Sequence, residues 1–109
     1  MDKKIIYGEV LKFGAGTNKK GFELLVSAVE KVIENPTIRT IELYDAVAED
    51  FDDTRSRVER ALRHYIECIV LDGDEDEVSK IKFTLSKTGL PTNTDFIKAF
   101  AVYLKLNFN

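Results

Sequence analysis

Between Thr54 and Leu71, the apolar residues Val58, Leu62, Tyr65, Ile66 and Ile69 recur at i, i+4, i+7, i+8 and i+11. That is the period of one helical face. Such a stripe is covered only when other elements pack on it, so the fold must assemble around this segment. The reverse side, read from TRSRVERALRHYIE, holds Arg55, Ser56, Glu59, Arg60 and Arg63, with Arg57 and His64 on one flank. A buried stripe backed by a basic, hydrogen-bonding face is what a helix needs to read bases in the DNA major groove. The plainer reading is a solvated surface helix with an i,i+4 Glu59–Arg63 pair, which contributes only a few tenths of a kcal/mol.

Upstream, TIELYDAVAEDF places Ile41, Tyr44, Val47, Ala48 and Phe51 at helical spacing. A polar link of Asp52 to Ser56 follows, in which Asp53, Thr54 or Ser56 can cap the basic helix. Glu59, three residues after Ser56, fits a capping box at that start. Two amphipathic helices joined by a short polar link, the second one basic, follow the helix-turn-helix plan. Small Ala48 suits a close approach of the two, although the link lacks the glycine often found there.

At these residues the chain resembles the C-terminal DNA-binding effector-domain family of the sporulation initiation regulator Spo-zero-A. SRVERALRHYIE (56–67) is similar to its recognition helix, KGFELLVSAVEKV (20–32) to its first helix, and LYDAVAEDFD (43–52) to the helix before its turn. PTNTDFIKAFAVYLKL (91–106) resembles its closing Pro-Thr-Asn motif and last helix. The resemblance spans residues 13–107. It implies an all-helical domain binding a short double-stranded DNA box, often as a tandem pair, hence a homodimer on tandem sites. It also implies base contacts from Glu59 and Arg60. The chemistry agrees, because arginine forks onto guanine O6 and N7 while a carboxylate accepts from cytosine N4. Ser56, Arg57, Arg63 and His64 match positions on or beside phosphates, which position rather than specify. For His64 the competing reading is a partly buried helix histidine packed beside Ala61. Two departures stand out. Leu90 occupies the place of a base-contacting lysine just before Pro-Thr-Asn, and only a short arm stands where the family's regulator carries a phosphoacceptor receiver domain.

A chain of 109 residues fits one domain with a modest core. The reading divides it into an N-terminal arm, 1–16, and a helix-turn-helix effector-like domain, 17–109. A net charge of −3 is unusual for a DNA binder, whose affinity comes largely from neutralising phosphate. The charge is unevenly spread, however. Residues 54–64 hold four arginines against one glutamate, while acid collects in Glu49-Asp50, Asp52-Asp53 and the run from Asp72 to Glu77. Binding is therefore expected to be local and steeply salt-dependent. A lone cysteine, Cys68, excludes an internal disulfide and fits a small apolar role in a reducing cytoplasm. No run reaches transmembrane length and no signal-peptide core opens the chain, so no membrane partner is expected.

Elsewhere the patterns are weaker. KIIYGEVLKF, residues 4–13, reads as a short strand or extended arm, with the alternating Ile81, Phe83 and Leu85 as its one candidate partner. Thr17 or Asn18 can cap the next helix, whose face is Phe22, Leu25, Val26, Val29, Val32 and Ile33, ending at Asn35-Pro36. Asp72-Gly73 closes the basic helix, with glycine expected at positive φ. Residues 75–83 carry a faint helical pattern. Thr92 and Asp95 resemble a capping box ahead of Phe96, Ile97, Phe100 and Leu104.

Several chemical motifs fail on spacing. GAGTNKKG is no phosphate loop, although Lys19 and Lys20 remain candidates for touching DNA phosphate. The Asp72 run puts Glu77 where a calcium loop needs glycine and Phe83 where it needs glutamate. His64 and Cys68 lack a third group to make a zinc or nucleophilic site. No catalytic residue, metal, cofactor or small-molecule substrate is therefore expected. Two functions compete. One is a sequence-specific transcriptional regulator reading DNA with helix 54–71. The other is an interaction or dimerisation module of the same fold that has lost DNA binding and leaves Phe100, Tyr103 or Phe108 partly exposed.

Overall fold

The computed structural model of the protein describes residues 1–16 and 18–108, and those residues fold as an all-helical domain. Its helices are α1 (Lys3–Leu11), α2 (Lys19–Glu34), α3 (Thr40–Asp50), α4 (Arg55–Asp72), the single turn α5 (Glu75–Val78) and α6 (Asn93–Phe108). Helix α2 is the central member, packed against α1, α3, α4 and α6. Its predicted face is present but too narrow, since Leu24 and Ala28 are also buried while Phe22 and Ile33 are half-buried on the flanks. A helix contacted from several sides buries more than one stripe. Asn18 caps it by accepting the Gly21 N–H at 3.0 Å, and Asn35 ends it. Thr17, the alternative cap, lies outside the described residues.

The strand or arm expected near the N-terminus is instead α1. Asp2 caps it, accepting the Lys4 N–H at 2.9 Å, and Ile6 and Val10 are buried together with the following Phe13. These three are one helical face at i, i+4 and i+7. Ile5 and Tyr7, apolar on either side of Ile6, blur that period in the sequence. No strand ladder forms among the described residues. Ile81 is buried and Phe83 packs on Phe96 with ring centroids 5.5 Å apart, but Leu85 is exposed, so the alternation serves a loop lying on α6. Phe96, Ile97, Phe100 and Leu104 are all fully buried, as the spacing predicts. Phe100 is therefore unavailable as an exposed partner contact, whereas Tyr103 is half-buried and Phe108 is exposed.

In α3 the inward positions are Leu43, Tyr44, Val47 and Ala48, while Ile41 is 56% exposed, outside the face assigned to it. In α4 the inward positions are Val58, Leu62, Tyr65, Ile66 and Ile69, the same five that the periodicity selects. Its N-cap is Thr54, whose Oγ1 accepts the Arg57 N–H at 3.3 Å. Ser56 is thus inside the first turn, and the box with Glu59 does not form. At the other end Gly73 has φ −74°, not the positive value expected. The glycine is needed for space, since an added Cβ would meet the carbonyl oxygens of Ile69 and Phe13. The Asp74 N–H donates to that Phe13 carbonyl at 2.7 Å, tying the end of α4 to the N-terminal segment. The Asp74 side chain caps α5 by accepting from the Asp76 and Glu77 N–H groups.

Candidate nucleic-acid interface

Four residues, 51–54, join α3 to α4, and the two helices pack against each other. This geometry is compatible with a helix-turn-helix. Asp52 takes a positive φ of 50°, which turns the chain where a glycine is more usual, and the Asp53 N–H then donates to the Ala48 carbonyl at 2.9 Å.

With the apolar stripe of α4 buried, its arginines face solvent, and each has distinct surroundings. Arg55 reaches back to α3 and forks onto Asp45, with Nε–Oδ1 at 2.7 Å and an amino nitrogen to Oδ2 at 2.9 Å. That pair braces the two helices. It also holds the Asp45 carboxyl below the usual carboxylate range. Asp53, whose side chain is 6% exposed, accepts Lys20 Nζ at 2.6 Å and lies 3.9 Å from Arg57. It accepts the Thr54 N–H as well, at 2.8 Å. The Lys20 hydrogen bond and then the Thr54 amide hold its carboxyl low. Glu59 and Arg63 form the anticipated i,i+4 pair at 2.7 Å. Arg60 is exposed and makes no ion pair among the described residues.

Two depressions flank the outer face of α4. The first, about 370 Å³, lies between α4 and the start of α2 and is lined by Asn18, Lys20, Gly21, Arg57, Arg60, Ala61 and His64. It combines basic side chains with the N-terminus of a 16-residue helix, whose dipole favours an anion. Gly21 makes this approach possible, because an added Cβ would sit 2.8 Å from the Cβ and Cγ of Tyr65. His64 is exposed, not partly buried, and its Nε2 lies 3.8 Å from Sγ of the half-buried Cys68. The second depression, about 440 Å³, runs between α4 and the loop before α6; Glu59, Arg63 and Glu67 face Ser86, Thr88 and Leu90 across it. Leu90 therefore sits on the edge of the Glu59–Arg63 side, where it offers apolar surface instead of a cation.

Of the six predicted site residues, Arg57, Arg60 and His64 converge on the first depression, and Glu59 and Arg63 border the second. Ser56 is exposed on the first turn of α4. Of the two lysines proposed for phosphate contact, Lys20 joins the first depression, while Lys19 lines a separate one with Leu11 and Phe22. Sequence reasoning missed Asn93. It is 7% exposed, and its side-chain N–H₂ donates to the Tyr44 hydroxyl at 3.1 Å and to the Glu59 carbonyl at 3.0 Å. One amide thus joins the start of α6 to α3 and to α4 at the predicted base-contact position. Burial pushes the Tyr44 phenol up, so it stays protonated across the physiological range. Thr92 precedes this amide and caps α6, accepting the Asp95 N–H at 3.1 Å.

Residues 6–104 match the family described as Sporulation initiation factor Spo0A C terminal. Helices α2, α3 and α4 lie wholly inside that span, as does the Pro91-Thr92-Asn93 turn. The family is one of DNA-binding effector domains, not of enzymes. No helix among the described residues is long and apolar enough to cross a membrane. The chain belongs to the Spo0A C-terminal effector-domain family.

Proposed function

We propose that this chain is a sequence-specific DNA-binding domain of a cytoplasmic transcriptional regulator, with α3 and α4 acting as its helix-turn-helix. Helix α4 lies in the major groove, where Arg60 forks onto a guanine and Glu59 accepts from a cytosine amino group. Ser56, Arg57, Arg63 and His64 lie on phosphates, and the dipole of α2 adds to the Arg57–His64 side. The observation that carries this reading is the outward face of α4, with Arg60 presented free of carboxylates beside a basic depression. The acidic run from Asp72 begins at the far end of the helix, roughly 20 Å along its axis from Arg57 at 1.5 Å per residue.

A second reading has one observation in its favour. Asp45, Asp53 and Glu59 already partner Arg55, Arg57 and Arg63, so the face carries less free charge than its sequence suggests. On that reading the fold is kept and DNA binding is lost. Fluorescence anisotropy with mixed-sequence duplexes at low and high salt separates the two. The first reading expects binding at low salt that weakens with a log–log slope of about −2, given two cationic phosphate contacts, Arg57 and Arg63, at about 0.9 each. Absence of binding at low salt selects the second.

A further inference from the structure

Val102 is 55% exposed and Leu106 80%, an i,i+4 pair on the C-terminal half of α6. Ala99 and Tyr103 fall beside them on the same third of the helix, and the four floor an open groove of about 660 Å³. Lys80 and Lys82, from the segment after α5, form one bank. Their ammonium groups are steadied there, Lys80 by Glu77 at 3.1 Å and Lys82 by the Ser79 carbonyl at 3.3 Å. On the opposite side of Val102 a second depression, about 180 Å³, is walled by Lys98 and Lys105. An exposed apolar strip therefore runs between two rows of lysine, in a chain whose net charge is −3.

We propose that this strip docks an acidic amphipathic helix from a different protein. Its apolar side chains would lie over Val102 and Leu106, and its carboxylates would reach the lysines on both banks. The double lysine border selects for carboxylates flanking an apolar stripe. It also disfavours a second copy of this chain, because a two-fold pairing of strip on strip brings lysine rows against lysine rows. Leu106 is roughly 20 Å along α6 from Asn93, the residue that touches Glu59, at 1.5 Å per residue. The strip is thus remote from the outer face of α4, and both surfaces can be occupied together.

The test uses the whole chain and two labelled 18-residue synthetic helices, identical except that the flanks of a leucine stripe carry glutamate in one and lysine in the other. Titration by fluorescence anisotropy, without DNA, should show binding of the glutamate peptide only. The paired change Val102→Ser with Leu106→Ser should weaken that binding at least tenfold, and Lys82→Glu with Lys98→Glu should do the same. Ile41→Ser, which alters an exposed apolar residue of α3, should leave it unchanged. All these positions are on the surface, and circular dichroism verifies that the helices persist. Failure of the glutamate peptide to bind, equal binding of both peptides, or binding indifferent to the α6 changes would overturn the proposal. So would a dimer of the free chain that Leu106→Ser abolishes in sedimentation velocity, since the strip would then belong to a second copy.

Discussion

Arg60 differs from the other arginines of α4 because no carboxylate of the described residues competes for it. Replacing it with alanine should cost about 1–3 kcal/mol of DNA-binding free energy and relax preference at one base pair, read from a panel of single-substitution duplexes. Arg63→Ala should instead weaken all duplexes alike and flatten the salt slope by about 1. Asn93 has a different task. Asn93→Ala withdraws the buried amide from the Tyr44 hydroxyl and the Glu59 carbonyl, and should cost about 1–3 kcal/mol in urea unfolding. Asn93→Asp should destabilise too, because the Glu59 carbonyl then faces an acceptor, whereas the Tyr44 hydroxyl can turn to donate. Asp45 and Asp53 make stability depend on pH. Their folded carboxyls titrate below the usual 3.8, held down by Arg55 and by Lys20 respectively. Both ion pairs therefore stabilise the fold above that value and are lost as pH falls through the depressed one. Thermal midpoints should drop in acid, and Asp53→Asn should lower the neutral-pH midpoint while shrinking the acid-induced fall.

Helix α4 was legible in the sequence because its stripe is uninterrupted and long enough for the period to be counted; its cap was narrowed to Asp53, Thr54 or Ser56, and Thr54 is the one used, without the Ser56–Glu59 box. That ambiguity has a physical source. Asp53, Thr54 and Ser56 all offer a capping oxygen, and what decides between them is the hold of Lys20 on Asp53, a contact 33 residues away in sequence. Helix α1 was missed for the opposite reason, since Ile5 and Tyr7 surround a face of only three residues. Asn93 could be read as part of a motif but not as a clamp, because its partners lie 49 and 34 residues upstream. The crossing of α2 and α4 was equally hidden, and Gly21 is its most sensitive point. Gly21→Ala forces a methyl into the Tyr65 side chain and should destabilise by about 1–3 kcal/mol, lowering the urea midpoint. It should weaken DNA binding too, because the same contact sets the distance between Lys20 and Arg57.

Over the molecule as a unit, acid and base are only partly segregated, since Asp45, Asp53 and Glu59 sit among the arginines of α4 as their partners. The basic face belongs to the first half of α4 with the start of α2, and the acidic run from Asp72 to Glu77 closes the far end of that helix. On the proposed function, such a charge distribution would orient the domain on a polyanion even though its net charge is −3. Composition alone argues against nucleic acid; the fold lessens that objection by placing the acidic run from Asp72 at the far end of the 18-residue α4. The homodimer on tandem sites that the family resemblance implies is a further proposal, which the number of copies bound per duplex decides. Selection of bound duplexes from a random pool addresses the reading of α4 most directly. The wild-type chain should enrich a single short motif, and the Arg60→Ala chain should enrich the same motif with one position randomised. A pool that stays random with the wild type, or a motif that Arg60→Ala leaves untouched, would contradict α4 as the reading helix.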